Sequence, residues 1–266
     1  MRILFSTGSL FYLPLKEIFL LARQAGFDGC DLVIQHHLDR PGFRETLEEC
    51  LDILPVYALH APFHRLEQWG SQVEALTKCT ALAKEYGIPV VNFHPPSWIH
   101  LEVNYIKWFR RVSDFQKELG CGDVALAIET MPLVGKTVRF APNIVNSFKD
   151  LIRVGVEKNL YFTFDATHVG TFECDIIPVF IDFLTTGRLK HIHLSDYADN
   201  ESHLFPGRGK LPIVKLLNTA RALGYNGAVS LEIAPAELPA TRQWLIRALS
   251  YAAAFLKMHA GREESV

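Results

Sequence analysis

Short apolar runs bounded by turn residues alternate with longer stretches of helical period along the whole chain, the pattern of βα units around a parallel sheet. Eight runs are predicted as strands: 2–6, 29–34, 56–60, 89–94, 124–129, 161–165, 191–195 and 228–233. Between them lie amphipathic segments. One spans 14–25, with Pro14 near the first turn; another spans 72–85, with Val73, Leu76, Cys79 and Ala83 spaced for one helix face. Two joints repeat faintly: Gly26 to Gly29 and Gly224 to Gly227 each place a glycine after a helix and a turn before a strand.

Eight units suit closure, and parallel barrels commonly run about 250 residues as one domain. A doubly wound open sheet would also alternate, but no Gly-x-Gly-x-x-Gly follows the first strand. No linker or low-complexity tract divides the chain, and 132–142 reads as a long loop. The expected fold is therefore α/β, a single-domain (β/α)8 TIM barrel over residues 1–260, with a polar tail at 261–266 that frays.

Composition narrows the function classes. A hydrophobic fraction of 49% with 21% charged residues excludes a long disordered region. The formal charge of -2 gives no general footprint for nucleic acid or an anionic membrane, so nucleic acid is disfavoured, though a local basic groove stays open. Five scattered cysteines without a C-x-x-C pair suggest neither a disulfide framework nor a thiolate metal cage, and fit a reducing cytoplasm. The apolar N-terminus is interrupted by Gly8, Pro14, Lys16 and Glu17, so it reads as a buried strand and not as a secretory segment or membrane span. The outer helices do not decide the oligomeric state.

The candidate chemistry lies at the strand ends. His60, His94, Glu129, Asp165, His193 and Glu232 fall at the C-terminal ends of strands three to eight. One such residue means little, because a lone strand-end His is more often a hydrogen-bonded structural residue. Six in register would converge on one rim, where burying several carboxylates together requires a cation. His168, close behind Asp165, and Glu201 with His203 beyond strand seven lie within reach of the same mouth, although solvated loop polarity accounts equally well for the last two. Oxygen and imidazole donors without thiolate suit zinc, manganese or iron better than calcium, with zinc or manganese leading. His191 shares a strand face with His193 and reads as a barrel-interior residue. Trp69, Trp98 and Phe63 could stack on a ring, and Arg208 and Lys210 could hold a phosphate.

Seven segments carry a resemblance: Leu59-His60-Ala-Pro-Phe, Asn92-Phe93-His94-Pro-Pro, Ala127-Ile128-Glu129-Thr, Phe164-Asp165-Ala-Thr-His168, His191-Ile-His193-Leu-Ser-Asp196, Pro206-Gly-Arg-Gly209 and Leu231-Glu232-Ile. Together they resemble the xylose isomerase-like barrel superfamily, which contains sugar and sugar-phosphate isomerases and epimerases and the endonuclease IV type of abasic-site nuclease. The epimerase branch implies one metal on Glu129, Asp165, His193 and Glu232, with Glu129 and Glu232 as acid and base at an ene-diolate and His168 on substrate oxygens. An arginine frequent in that branch six residues after the strand-seven His is Asp199 here. The nuclease branch implies three zinc ions, with further ligands at His60, His94, His168, Glu201 and His203. The resemblance thus implies a metal-dependent isomerase or epimerase of a small sugar or sugar phosphate, and as the alternative a multi-zinc phosphodiesterase acting on abasic DNA.

Overall fold

The computed structural model describes residues 1–135, 137–145 and 147–261. Among the described residues ten strands follow in chain order: β1 Arg2–Ser6, β2 Gly29–Val33, β3 Val56–His60, β4 Val90–Phe93, β5 Ala125–Glu129, β6 Tyr161–Asp165, β7 Leu189–Leu194, β8 Asp196–Ala198, β9 Glu201–Leu204 and β10 Ala228–Leu231. Eight of them close into a parallel barrel in the order β1-β10-β7-β6-β5-β4-β3-β2. The barrel expectation holds, as a single domain. Apart from Gly261, the tail 261–266 lies outside the described residues.

Helices follow the strands: α1 Leu15–Ala25, α2 Phe43–Leu51, α3 Gln72–Tyr86, α4 Val103–Arg111, α5 Phe115–Glu118, α6 Phe148–Glu157, α7 Ala166–Gly170, α8 Ile176–Thr185, α9 Ile213–Ala222 and α10 Arg242–His259, with α7 wholly buried. Local sequence sets their ends. Ser71 and Glu74 form a reciprocal capping box at α3, and Gly26 closes α1 in the left-handed conformation at φ 86°.

Strand periodicity sorts the side chains. Ile3, Phe5, Leu59, Val91, Leu126, Ile128, Phe162, Phe164, Ile192, Leu194, Val229 and Leu231 join the large core between barrel and helices. Their alternate neighbours Leu4, Ala58, Val90, Ala125, Ala127 and Ala228 form a second, smaller cluster within the barrel, four of its six members alanine. One step further along the same faces come Ser6, Asp31, His60, Asn92, Glu129, Thr163, Asp165, His191, His193 and Ser230, all buried and all polar. The barrel thus passes from a small apolar floor to a polar upper wall.

The main departure from expectation is an antiparallel hairpin, β8 with β9, where the sequence reading placed only a loop. Asp199 and Asn200 form its two-residue tip with φ of 51° and 70°. Positive φ at both positions is what a tight hairpin turn of the right twist requires, and Asp and Asn tolerate it best among non-glycine residues. β7 also begins at Leu189, two residues ahead of the expected start.

The α6 helix sits on β6 through Gly155, where an added Cβ would lie 2.3 Å from Phe162 Cε1. Alanine is the better helix former by about 1 kcal/mol. Overpacking costs about 1–3 kcal/mol and should prevail. Gly155→Ala is expected to lower the urea midpoint, and adding Phe162→Leu should recover part of the loss. A midpoint unchanged or raised by Gly155→Ala would contradict this account of the contact.

Candidate metal centre at the barrel mouth

The upper wall is built from strand C-termini, and the register sets who meets whom. Asp165 pairs with His193 across β6 and β7, and Val33 with His60 across β2 and β3. His60, Glu129 and Asp165 are the last residues of their strands; His94 and Glu232 lie one beyond theirs. Glu129 is the hub. Its Oε2 lies 3.3 Å from His60 Nε2 and 3.5 Å from His94 Nε2, and accepts from Asn92 Nδ2 at 2.5 Å. Its Oε1 lies 3.1 Å from His168 Nδ1 and 3.4 Å from His193 Nδ1.

Asp165 caps α7, with its Oδ1 accepting from the His168 amide at 2.8 Å. Its second oxygen, Oδ2, has no hydrogen-bond partner although it is buried. Neither has His193 Nδ1, which faces Glu232 Oε2 at 2.9 Å, Glu129 Oε1 at 3.4 Å and Asp165 Oδ2 at 3.7 Å. Glu232, 21% exposed, is the member of this set that opens toward solvent. Three carboxylates around one imidazole nitrogen, with orphaned buried atoms on two of the residues, fit a divalent cation.

Four donor groups occur among the described residues, the atoms of each group lying within 4.8 Å of one another: His60, His94 and Glu129; Glu129, Asp165 and His193; Asp165, His168 and His203; and Asp31, His191 and His193. Glu129 belongs to two groups and Asp165 to two, so the first three run side by side.

The charges answer one another. Burial opposes ionisation of Glu129, but His193, His94 and His168 hold its carboxyl well below the usual carboxylate range. Burial likewise opposes a proton on His193, while Glu232 and Glu129 lift its pKa well above that of an ordinary imidazole. His168 behaves similarly, raised to about 9 because Asp165 and Glu129 outweigh its desolvation. Without a metal, protons on His193 and His168 balance the acids, while burial keeps His94 and His191 toward the neutral form.

The sequence model of the xylose isomerase-like TIM barrel family matches residues 19–250. The chain belongs to this family. An uncharacterized protein of Mycobacterium leprae (strain TN) is 24% identical over 289 residues, covering 94% of this chain and 96% of the relative. In structure, a D-tagatose 3-epimerase-like protein superposes with a TM-score of 0.72 at 20% identity, over 97% of both chains. A 3-keto-D-glucoside 4-epimerase from E. coli gives 0.67 at 18% identity, over 97% of this chain and 99% of that one. At these identities the likeness is one of fold.

Within this family member, the strand-end set His60, His94, Glu129, Asp165, His193 and Glu232 comes together, with His168 and His203 beside Asp165. Glu201 does not join them: the hairpin leaves it exposed at the start of β9. His203 turns inward, its Nδ1 3.2 Å from Glu232 O. Arg208 is exposed and pairs with Glu237 at 2.9 Å, and Lys210 pairs with Asp199 on the hairpin. Trp98 is half-exposed and donates to Ala141 O at 2.9 Å, while Trp69 is buried with its Nε1 on Leu38 O. Phe63 does reach the rim, its ring 5.8 Å from His94. A side cavity of about 380 Å3 opens next to it, lined by His94, Phe63, Ile99, Met131 and Pro132 among others. Among the described residues, no helix is long and apolar enough to cross a membrane.

Two polar partners escaped the sequence reading. Asn92 holds Glu129, and Asp31, in the middle of β2, lies 3.0 Å from His193 Nε2. Asn92 could have been found two residues before His94 on the same inward face; Asp31 sits inside an apolar strand with no local signal.

The His168 shift predicts a pH dependence. Its pKa rises from 6.5 to about 9 on folding, so its contribution is fully present below pH 6.5 and lost as pH climbs through 9. Metal-free protein should lose thermal stability between pH 6.5 and 9, whereas zinc-saturated protein should lose less, since the metal then compensates Asp165 and Glu129 in place of that proton. Equal pH profiles for the two forms would contradict the assignment.

Proposed function

We propose that this barrel is a metal-dependent isomerase or epimerase of a sugar or sugar phosphate, working through an ene-diolate, with Glu129 and Glu232 as its acid and base. The observation that carries the reading is the convergence of these two glutamates on His193 Nδ1 at 3.4 and 2.9 Å from strands separated by β6 and β7. Its likeness in fold to a D-tagatose 3-epimerase-like protein and to a 3-keto-D-glucoside 4-epimerase adds support.

Glu129, Asp165, His193 and Glu232 would hold zinc or manganese, which when bound polarises a substrate carbonyl and stabilises the charge developing there. Glu232 and Glu129 then share the proton traffic at the neighbouring carbon, one removing it and the other returning it. Asn92 fixes the Glu129 carboxylate through its 2.5 Å hydrogen bond. His168, anchored through Nδ1 to Thr130 O at 2.9 Å, offers Nε2 to substrate oxygens. Phe63, its ring 5.8 Å from that of His94, offers an apolar face at the rim for a substrate to lie against.

One arrangement favours a second reading, an endonuclease IV-like phosphodiesterase acting on abasic DNA: the three donor groups that share Glu129 and Asp165 could hold a row of bridged ions. Against it stand the exposed Glu201 and the net charge of -2.

Metal content of protein purified without added metal or chelator separates the two. About one ion per chain, unaffected by His60→Ala or His203→Ala, supports the isomerase. Two or three ions, falling with either substitution, would move the assignment to phosphodiester hydrolysis. For the isomerase, Glu129→Gln and Glu232→Gln should each slow exchange of a substrate α-hydrogen with deuterated solvent by about 10²–10⁴-fold. Undiminished exchange in both variants would rule out this pair.

A further inference from the structure

We infer that Asp31 is a positioning residue that fixes the tautomer of His193 and so sets the affinity of the mouth for its metal. The inference rests on the metal reading above, and on no particular substrate.

Asp31 is fully buried in the middle of β2, paired in register with Ser6 of β1 and Ala58 of β3. A carboxylate there is destabilising unless it is paired and hydrogen-bonded. Its ionic partners come from β7, across the barrel: His193 Nε2 at 3.0 Å and His191 Nε2 at 3.7 Å. His191 has a nearer partner, with its Nε2 2.6 Å from Ser230 Oγ. Asp31 therefore acts chiefly on His193.

An ionised carboxylate only accepts, so the His193 nitrogen facing it must carry the proton. A neutral imidazole has one N–H. With that proton on Nε2, the lone pair is on Nδ1, the nitrogen that faces Glu232, Glu129 and Asp165. The same pairing orients the ring and raises its basicity as a ligand, as carboxylate partners of metal-bound histidines do. Asp31, His191 and His193 could by themselves surround an ion. His193 Nε2 cannot both donate a proton to Asp31 and bind a second cation, and the two arrangements give different ion counts.

The test uses the full chain and zinc. Competition against a chromophoric chelator gives the zinc dissociation constant and the ion count for wild type and Asp31→Asn, with melting followed by circular dichroism. Asparagine keeps an acceptor oxygen in the same place but removes the charge. The expected result is a folded variant with the wild-type ion count and about 10–100-fold weaker zinc binding. Nitrogen-15 spectra of zinc-loaded wild type should place the His193 proton on Nε2, a readout that needs no substitution. Unchanged zinc affinity in folded Asp31→Asn, a proton on Nδ1, or the loss of one whole ion would each overturn the assignment. Neither readout involves turnover, so failure of the proposed reaction would leave this result standing. Failure of wild type to bind zinc or manganese would remove the metal reading and this pairing together.

Discussion

Carboxylates buried on the inner wall of the barrel are the constraint on which the rest of the upper structure depends. Asp31, Glu129 and Asp165 are each essentially inaccessible to water. Each carries a penalty of several kcal/mol if left uncompensated, in a protein whose whole stability is of the order of 5–15 kcal/mol. Among the described residues, the ion pairs made to these three acids come from histidines: His60, His94, His168, His191 and His193. An imidazole can meet a carboxylate with a proton or leave its place to a metal, which a lysine or arginine cannot do. Histidine is therefore the residue type that lets such a wall fold without an ion and still bind one.

The fold supplies the geometry that this chemistry needs. A parallel barrel delivers every strand C-terminus to one rim, and strand alternation sends each second residue inward. Small side chains such as Ala58, Ala127 and Ala228 fill the floor, and the upper wall is left to polar groups. The helices are secured from outside by the complementary residues of the same strands, with Phe162 and Phe164 of β6 packed against Phe183 of α8. One alternation thus serves both the core and the site.

Local order was largely legible along the chain. The eight barrel strands lie where their apolar runs lie, because burial of alternate residues is written into the run itself. The strand-end acids and histidines were legible for the same reason: strand ends converge once the sheet closes, whatever the loops do. Asn92 was within reach of that logic, two positions from His94.

What the sequence determined by itself is the βα repeat, the closure it implies and the ring of donors at the strand ends, since these follow from periodicities of two and 3.6 residues within short windows. Tertiary structure alone decided that Asp31 meets His193 from 162 residues away, that Glu201 faces solvent while His203 turns inward, and that Arg208 is paired with Glu237. Those outcomes depend on register across a closed barrel and on the turn at Asp199 and Asn200. Neither is encoded in the spacing of residues near the site.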